Sequence, residues 1–181
     1  FKVIDEQNSL LNEADLPWIR IATLKEWPDF AMQIAAPFEA VIQEPLPAYF
    51  KPILDKALQY KNSIDQINAI TAGLAESLTY MGDWRTVKGA YSPRSLAKIA
   101  ETRFGDCKDF SAITVALLRQ LGLQASTALV NRGIQIQHDT FILPSFNHFN
   151  HAIVYATTKH GSYWIDPTNF TSFAPHIYPD I

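Results

Sequence analysis

Apolar residues from Ile64 onward recur at helical spacing. Ile64, Ile67, Ile70, Leu74 and Leu78 predict a helix from Ile64 to about Met81, capped by Ser63 and stopped by Gly82. A second helix, carrying Leu96, Ile99 and Ala100, is opened by Ser92-Pro93 and ends near Gly105. The stretch from Asp106 to Leu121, DCKDFSAITVALLRQL, has a different character. It is apolar on almost every side, through Phe110, Ala112, Ile113, Val115, Ala116, Leu117 and Leu118, which predicts a helix buried all round. Asp106, with Asp109 three residues later, forms a capping-box-like start, and Cys107 falls in the first turn. After Gly122 the period becomes extended. Strands are predicted from Leu123 to Asn131, from His151 to Thr157 and from Tyr163 to Asp166. The last two are joined by the turn Lys159-His160-Gly161-Ser162, and Pro167 ends the third. Asn131 to Pro144 reads as a loop or a hairpin.

Upstream, the chain is punctuated by Pro17, Pro28, Pro37, Pro45, Pro47 and Pro52. Trp18 to Leu24 alternates as a strand does, Pro28 opens a short helix through Ile34, 45–52 is a connector, and Ile53 to Tyr60 is helical. Helices that precede an antiparallel sheet give an α+β class rather than alternating βαβ units.

At 181 residues, with 48% hydrophobic and 18% charged positions, the composition is globular and excludes disordered and fibrous classes. The net charge of -3 and the absence of any Lys/Arg run argue against a nucleic-acid partner. No apolar stretch approaches a membrane span. A single cysteine rules out an intramolecular disulfide and a cysteine-built zinc site, and it fits either an oxidising or a reducing compartment. The chain starts at Phe1 without an initiator Met or a signal peptide. The expectation is a piece of a longer protein with flanking domains.

The chemistry concentrates on Cys107. Thiol catalysis needs the thiolate, and an ordinary thiol titrates near 8.5. A helix N-terminus supplies partial positive charge, a neighbouring imidazolium supplies more, and a third polar group must hold the imidazole in one tautomer. The order Cys107, His151, Asp166 meets these needs. His151 opens one strand and Asp166 ends the next, so a hairpin brings the two together. His148 is the rival histidine, in the loop Phe146-Asn147-His148-Phe149-Asn150; His151 is preferred because it starts a strand. His148 and His151 lack further ligands nearby for zinc. Asp106 and Asp109 read as capping groups, Trp164 as a packing residue that lines the cleft, and His138, His160 and His176 as solvent-facing. Asp139 belongs to no pattern.

Gly105-Asp106-Cys107-Lys108-Asp109, followed by the apolar helix and Leu121-Gly122-Leu123, resembles the nucleophile motif of bacterial transglutaminase-like proteins. Asn150-His151-Ala152-Ile153-Val154 resembles their histidine strand, and Tyr163-Trp164-Ile165-Asp166-Pro167-Thr168 their aspartate strand. The resemblance covers roughly Ser63 to Thr168. It implies a papain-like α+β core at 63–181, with 1–62 as an extension comprising the tail of a preceding β-rich domain and linker helices. It implies Cys107 as nucleophile, His151 as general base and acid, and Asp166 as its orienter. Trp84 would be either an oxyanion donor beside the Cys107 backbone N–H or a core-packing residue. Animal transglutaminases bind calcium; this chain has no such acidic loop, and no metal or cofactor is expected. The periplasm or cell envelope is favoured over the cytoplasm. The expected function is thiol-dependent acyl transfer on an amide of a protein or peptide, either hydrolysis or transamidation. The alternative is a binding or scaffold module that retains the fold without the chemistry.

Overall fold

The computed structural model describes residues 19, 21–82, 91–132, 143–170 and 174. Helix α1 spans Trp27–Ile42, a single 3-10 turn spans Ala48–Phe50, and α2 spans Lys51–Ala57. Helix α3 is Ser63–Ser77, strand β1 is Thr79–Tyr80, α4 is Leu96–Thr102 and β2 is Phe104–Gly105. Helix α5, Cys107–Gln120, leads into strands β3 (Gln124–Val130), β4 (His151–Thr158) and β5 (Gly161–Ile165). The three long strands form one antiparallel sheet in the order β3-β4-β5, and β1 and β2 form a separate parallel pair. Helices thus precede an antiparallel sheet, the α+β order predicted.

Helix α5 is the hub. It packs against β3 and β4 on one side and against α1 and α3 on others. Phe110, Ile113, Val115, Leu117 and Leu118 are fully buried, as the all-round apolar pattern requires. The same apolar cluster takes in Phe38 and Ile42 of α1, Phe50, Ile53 and Ala57 around α2, and Val154 and Ala156 of β4. Arg119, in the last turn of α5, clamps α1. Its two guanidinium nitrogens donate to the Glu39 carboxylate at 2.7 and 2.8 Å, and its Nε donates to the Ala125 carbonyl.

Several boundaries differ from the sequence expectation. Helix α1 runs to Ile42, not Ile34, although Pro37 lies inside it and removes one helical hydrogen bond. Burial of Phe38 and Ile42 and the Glu39–Arg119 fork carry the helix past the proline. The cap of α3 is Asn62, whose side chain accepts from Asp65 N at 2.8 Å, not Ser63. Helix α3 ends at Ser77 rather than near Met81, because Thr79 and Met81 donate their N–H groups to the Arg103 and Gly105 carbonyls. That short parallel pair was not foreseen. The cap of α4 is Ser95 rather than Ser92, and Arg103 at φ 56 ends the helix. Residues 19 and 21–24 form no strand, in contrast to the alternation read there.

Candidate active site

The start of α5 is built by local chemistry. Asp106 Oδ1 accepts from Lys108 N at 3.0 Å and from Asp109 N at 3.5 Å, while Asp109 Oδ2 accepts from Asp106 N at 3.3 Å; this is a reciprocal capping box. Lys108 Nζ adds a buried ion pair to Asp106 at 2.6 Å. Arg94 braces the other carboxylate. Its backbone N–H donates to Asp109 Oδ1 at 2.8 Å, and its Nε and Nη2 reach Oδ2 at 2.9 Å. Burial pushes the Asp109 carboxyl up and the Asp106 charge adds to this, against the pull of Arg94. Gly105 is required by contact. A Cβ there would lie 2.8 Å from the Asp109 Cβ, closer than real Cβ atoms come. The glycine, the two aspartates and the cysteine of the motif are therefore one mechanical unit that fixes Cys107 at the first helical position.

Two further bonds set the histidine against this unit. Ser111 Oγ donates to the Ala152 carbonyl at 3.0 Å and ties the second turn of α5 to the second residue of β4. Asn150 extends the β3–β4 ladder with its side chain: Nδ2 donates to the Arg132 carbonyl at 3.0 Å and Oδ1 accepts from Arg132 N at 2.7 Å. His151 follows directly, paired with Val130.

His151 Nε2 donates to Asp166 Oδ2 at 2.9 Å, which leaves Nδ1 for Cys107. Asp166 Oδ1 accepts from Thr168 Oγ1 at 2.7 Å and from Thr168 N at 3.0 Å, and Arg132 Nη1 stands 3.8 Å from Oδ2. Cys107, His151 and Asp166 are 4%, 7% and 2% exposed, so their charges interact with little water between them. Burial disfavours the imidazolium of His151. The hydrogen bonds to Asp166 and Cys107 and the attraction of their charges outweigh it and push the pKa up to about 9. Burial likewise opposes the Asp166 carboxylate, but donation by His151 and Thr168 and the imidazolium charge hold it below the usual range. The pair therefore rests as imidazolium and carboxylate at neutral pH.

The three residues singled out from the sequence thus meet in space. His148 does not join them: its ring nitrogen bonds the Leu143 carbonyl at 3.2 Å and its ring stands 5.9 Å from that of Trp27. Asp106 and Asp109 cap the helix, as predicted. Trp164 is 48% exposed and stacks on Tyr155 across the strand pair at 4.6 Å. His160 is exposed in the β4–β5 turn. Trp84, His138, Asp139 and His176 lie outside the described residues. Sequence reasoning gave no role to Arg94, Arg132, Asn150 or Ser111. Thr168, two residues after Asp166, had the spacing of a local side-chain turn. The others are brought in by distant pairing and carry no local signal. Among the described residues no group of three or more His, Cys, Asp or Glu side chains is placed to hold a metal ion, and no helix is long and apolar enough to cross a membrane.

The fold has solved counterparts. A protein described as a "putative protease" from Parabacteroides distasonis superposes with a TM-score of 0.57 at 14% identity, covering 73% of this chain and 25% of that one. A structure described as a TGase gives a TM-score of 0.50 at 16% identity, covering 87% of this chain and 37% of that one. This chain therefore spans well under half the length of either counterpart. No curated protein matches it. The model of the transglutaminase-like superfamily matches residues 54–166, more than half of the chain and the whole stretch that carries the site, and the chain belongs to that superfamily.

Proposed function

We propose that this protein is a papain-like thiol enzyme that transfers the acyl group of an amide in a protein or peptide through Cys107, with His151 as general base and acid and Asp166 as the group that orients it. The observation that carries this reading is the His151 ring, bonded through Nε2 to a buried Asp166 at 2.9 Å, with the Cys107 sulfur near enough to help hold the imidazolium pKa up. Cys107 at the first position of a buried helix also has the helix dipole behind it.

In the forward step the Cys107 sulfur forms a bond to the amide carbon, and the carbonyl electrons move to oxygen. Collapse of this adduct breaks the C–N bond, and the leaving amine takes a proton from the His151 imidazolium. The resulting thioester is attacked by water or by an amine, whose proton passes to the now neutral His151, and the thiolate is released. Asp166 keeps its charge throughout and holds the ring so that Nδ1 faces the sulfur. The likeness to a protein described as a protease supports peptide substrates.

Iodoacetamide alkylation of Cys107 tests the reading directly. The expected result is a rate that stays high well below pH 8 in the wild-type protein and falls to that of an ordinary thiol in His151→Ala. An ordinary thiol titration in both proteins refutes the catalytic assignment and favours a scaffold role for the domain.

A further inference from the structure

Thiol acyl transfer needs hydrogen-bond donors where the carbonyl oxygen gains charge. The capping box uses the N–H groups of Lys108 and Asp109 and leaves the Cys107 N–H outside its bonds, so that group is one donor. Trp84, the side-chain donor expected from the sequence, lies outside the described residues. Tyr80 does not. It ends β1, where the parallel pairing sets it opposite Gly105, two residues before Cys107. The Met81 N–H bonds the Gly105 carbonyl at 2.8 Å, so the backbone that carries Tyr80 is fixed to the nucleophile motif itself. The Tyr80 ring stands 6.1 Å from that of Phe110, one helical turn beyond Cys107, and the residue is 42% exposed, so it lies beside the first turn of the helix and meets solvent.

Its surroundings agree with that position. Burial first, and then the negative charges of Cys107, Asp106 and Asp166, push the Tyr80 pKa up to about 12, while Arg132 opposes them. Members of the site on both sides of the fold therefore lie within electrostatic reach of one phenol, which keeps its proton at any working pH. A neutral O–H on a half-exposed side chain, whose backbone is paired with the nucleophile motif, is a donor available to a bound acceptor.

We propose that the Tyr80 hydroxyl donates a hydrogen bond to the oxyanion formed when Cys107 adds to a carbonyl. The inference rests on the thiol acyl transfer proposed above. Tyr80 forms no covalent bond and gives up no proton. Its O–H bond polarises as the oxyanion forms and relaxes when the C–N or C–O bond breaks.

Two probes separate this role from the thiol's own reactivity. Acylation of Cys107 by p-nitrophenyl acetate passes through an oxyanion, whereas alkylation by iodoacetamide is a direct displacement that forms none. Tyr80→Phe removes one oxygen atom and keeps the ring on Phe110. The expected result is a loss of about 100-fold in acylation rate, with alkylation within about twofold of wild type and an unchanged thermal midpoint. Wild-type acylation rates in Tyr80→Phe overturn the proposal. An equal fall in both reactions also overturns it, because Tyr80 then acts on the thiol and not on the oxyanion. Slow alkylation of the wild-type protein itself is a separate outcome, which refutes the enzyme reading rather than the place of Tyr80 in it.

Discussion

Asp166→Asn isolates what the buried carboxylate does for His151. Asparagine has almost the same shape and can still accept from Thr168, so packing is preserved while the charge is removed. Burial is the largest influence on the His151 ring and acts against its charge; Asp166 supplies a hydrogen bond and an attraction that, with those of Cys107, reverse it. Without them the pKa is expected to fall from about 9 toward the ordinary 6.5, the Cys107 share being kept. A change of that size corresponds to ~3 kcal/mol in the free energy of the imidazolium. The folded value lies above that of an unfolded chain. The contribution to stability is therefore complete below pH 6.5 and is lost as pH rises through about 9. The wild type should exceed Asp166→Asn by roughly 3 kcal/mol in urea unfolding near pH 6, and the gap should close on the alkaline side of the His151 titration. Ring proton NMR reads the pKa itself. The chain has 5 histidines, and a His151→Gln variant assigns the signal by its absence. A His151 signal in Asp166→Asn that still titrates near 9 refutes the reasoning, as does a stability gap that does not vary with pH.

Three other perturbations probe the frame around the site. Gly105→Ala pushes a methyl to 2.8 Å from the Asp109 Cβ; calorimetry should register a loss of about 2 kcal/mol or more, with slower alkylation of Cys107 because the first turn is displaced. Asp106→Ala removes the cap and the partner of buried Lys108, at a cost of about 2–4 kcal/mol. Asp106→Asn keeps the cap and loses only the ion pair, so thermal melts should rank it between Asp106→Ala and wild type. Arg119→Lys replaces the fork on Glu39 with a single contact. Because both side chains are about a third exposed, urea unfolding should show a loss of only ~1 kcal/mol.

Much of this architecture was legible because it is written locally. The all-round apolar run of α5, its aspartate capping box and the three strands after Gly122 each declare themselves within one short stretch of residues. His151 and Asp166 were legible for a related reason: a short turn between two strands fixes which ends meet. What escaped was set by partners far away in sequence. The pairing of β1 with β2 depends on a contact between Thr79 and Phe104, and nothing in Thr79-Tyr80 signals it. The same pairing shortened α3 and carried Tyr80 to the nucleophile motif. Pro37 is a local stop signal that α1 overrides, because Phe38 and Ile42 are rewarded by a core whose other buried members lie from Phe50 onward. Arg94, Arg132 and Asn150 look like ordinary polar loop residues until the fold turns them toward Asp109, Asp166 and the end of β3.

Beyond β5, Ala174 lies against the helical half. Ala174 is buried in the common core, and the Asn68 side chain grips its backbone from both sides, donating to its carbonyl at 3.1 Å and accepting from its N–H at 2.9 Å. That grip joins residues 106 positions apart, which bears on the order of events during synthesis. A growing chain presents α3 and the nucleophile helix before the strands β3 and β4 on which that helix packs. The strands of His151 and Asp166 leave the ribosome later, and the segment that locks onto Asn68 later still. Cys107 thus leaves the ribosome before the neighbours that define its chemistry, and the site cannot form until β4 and β5 have both been made.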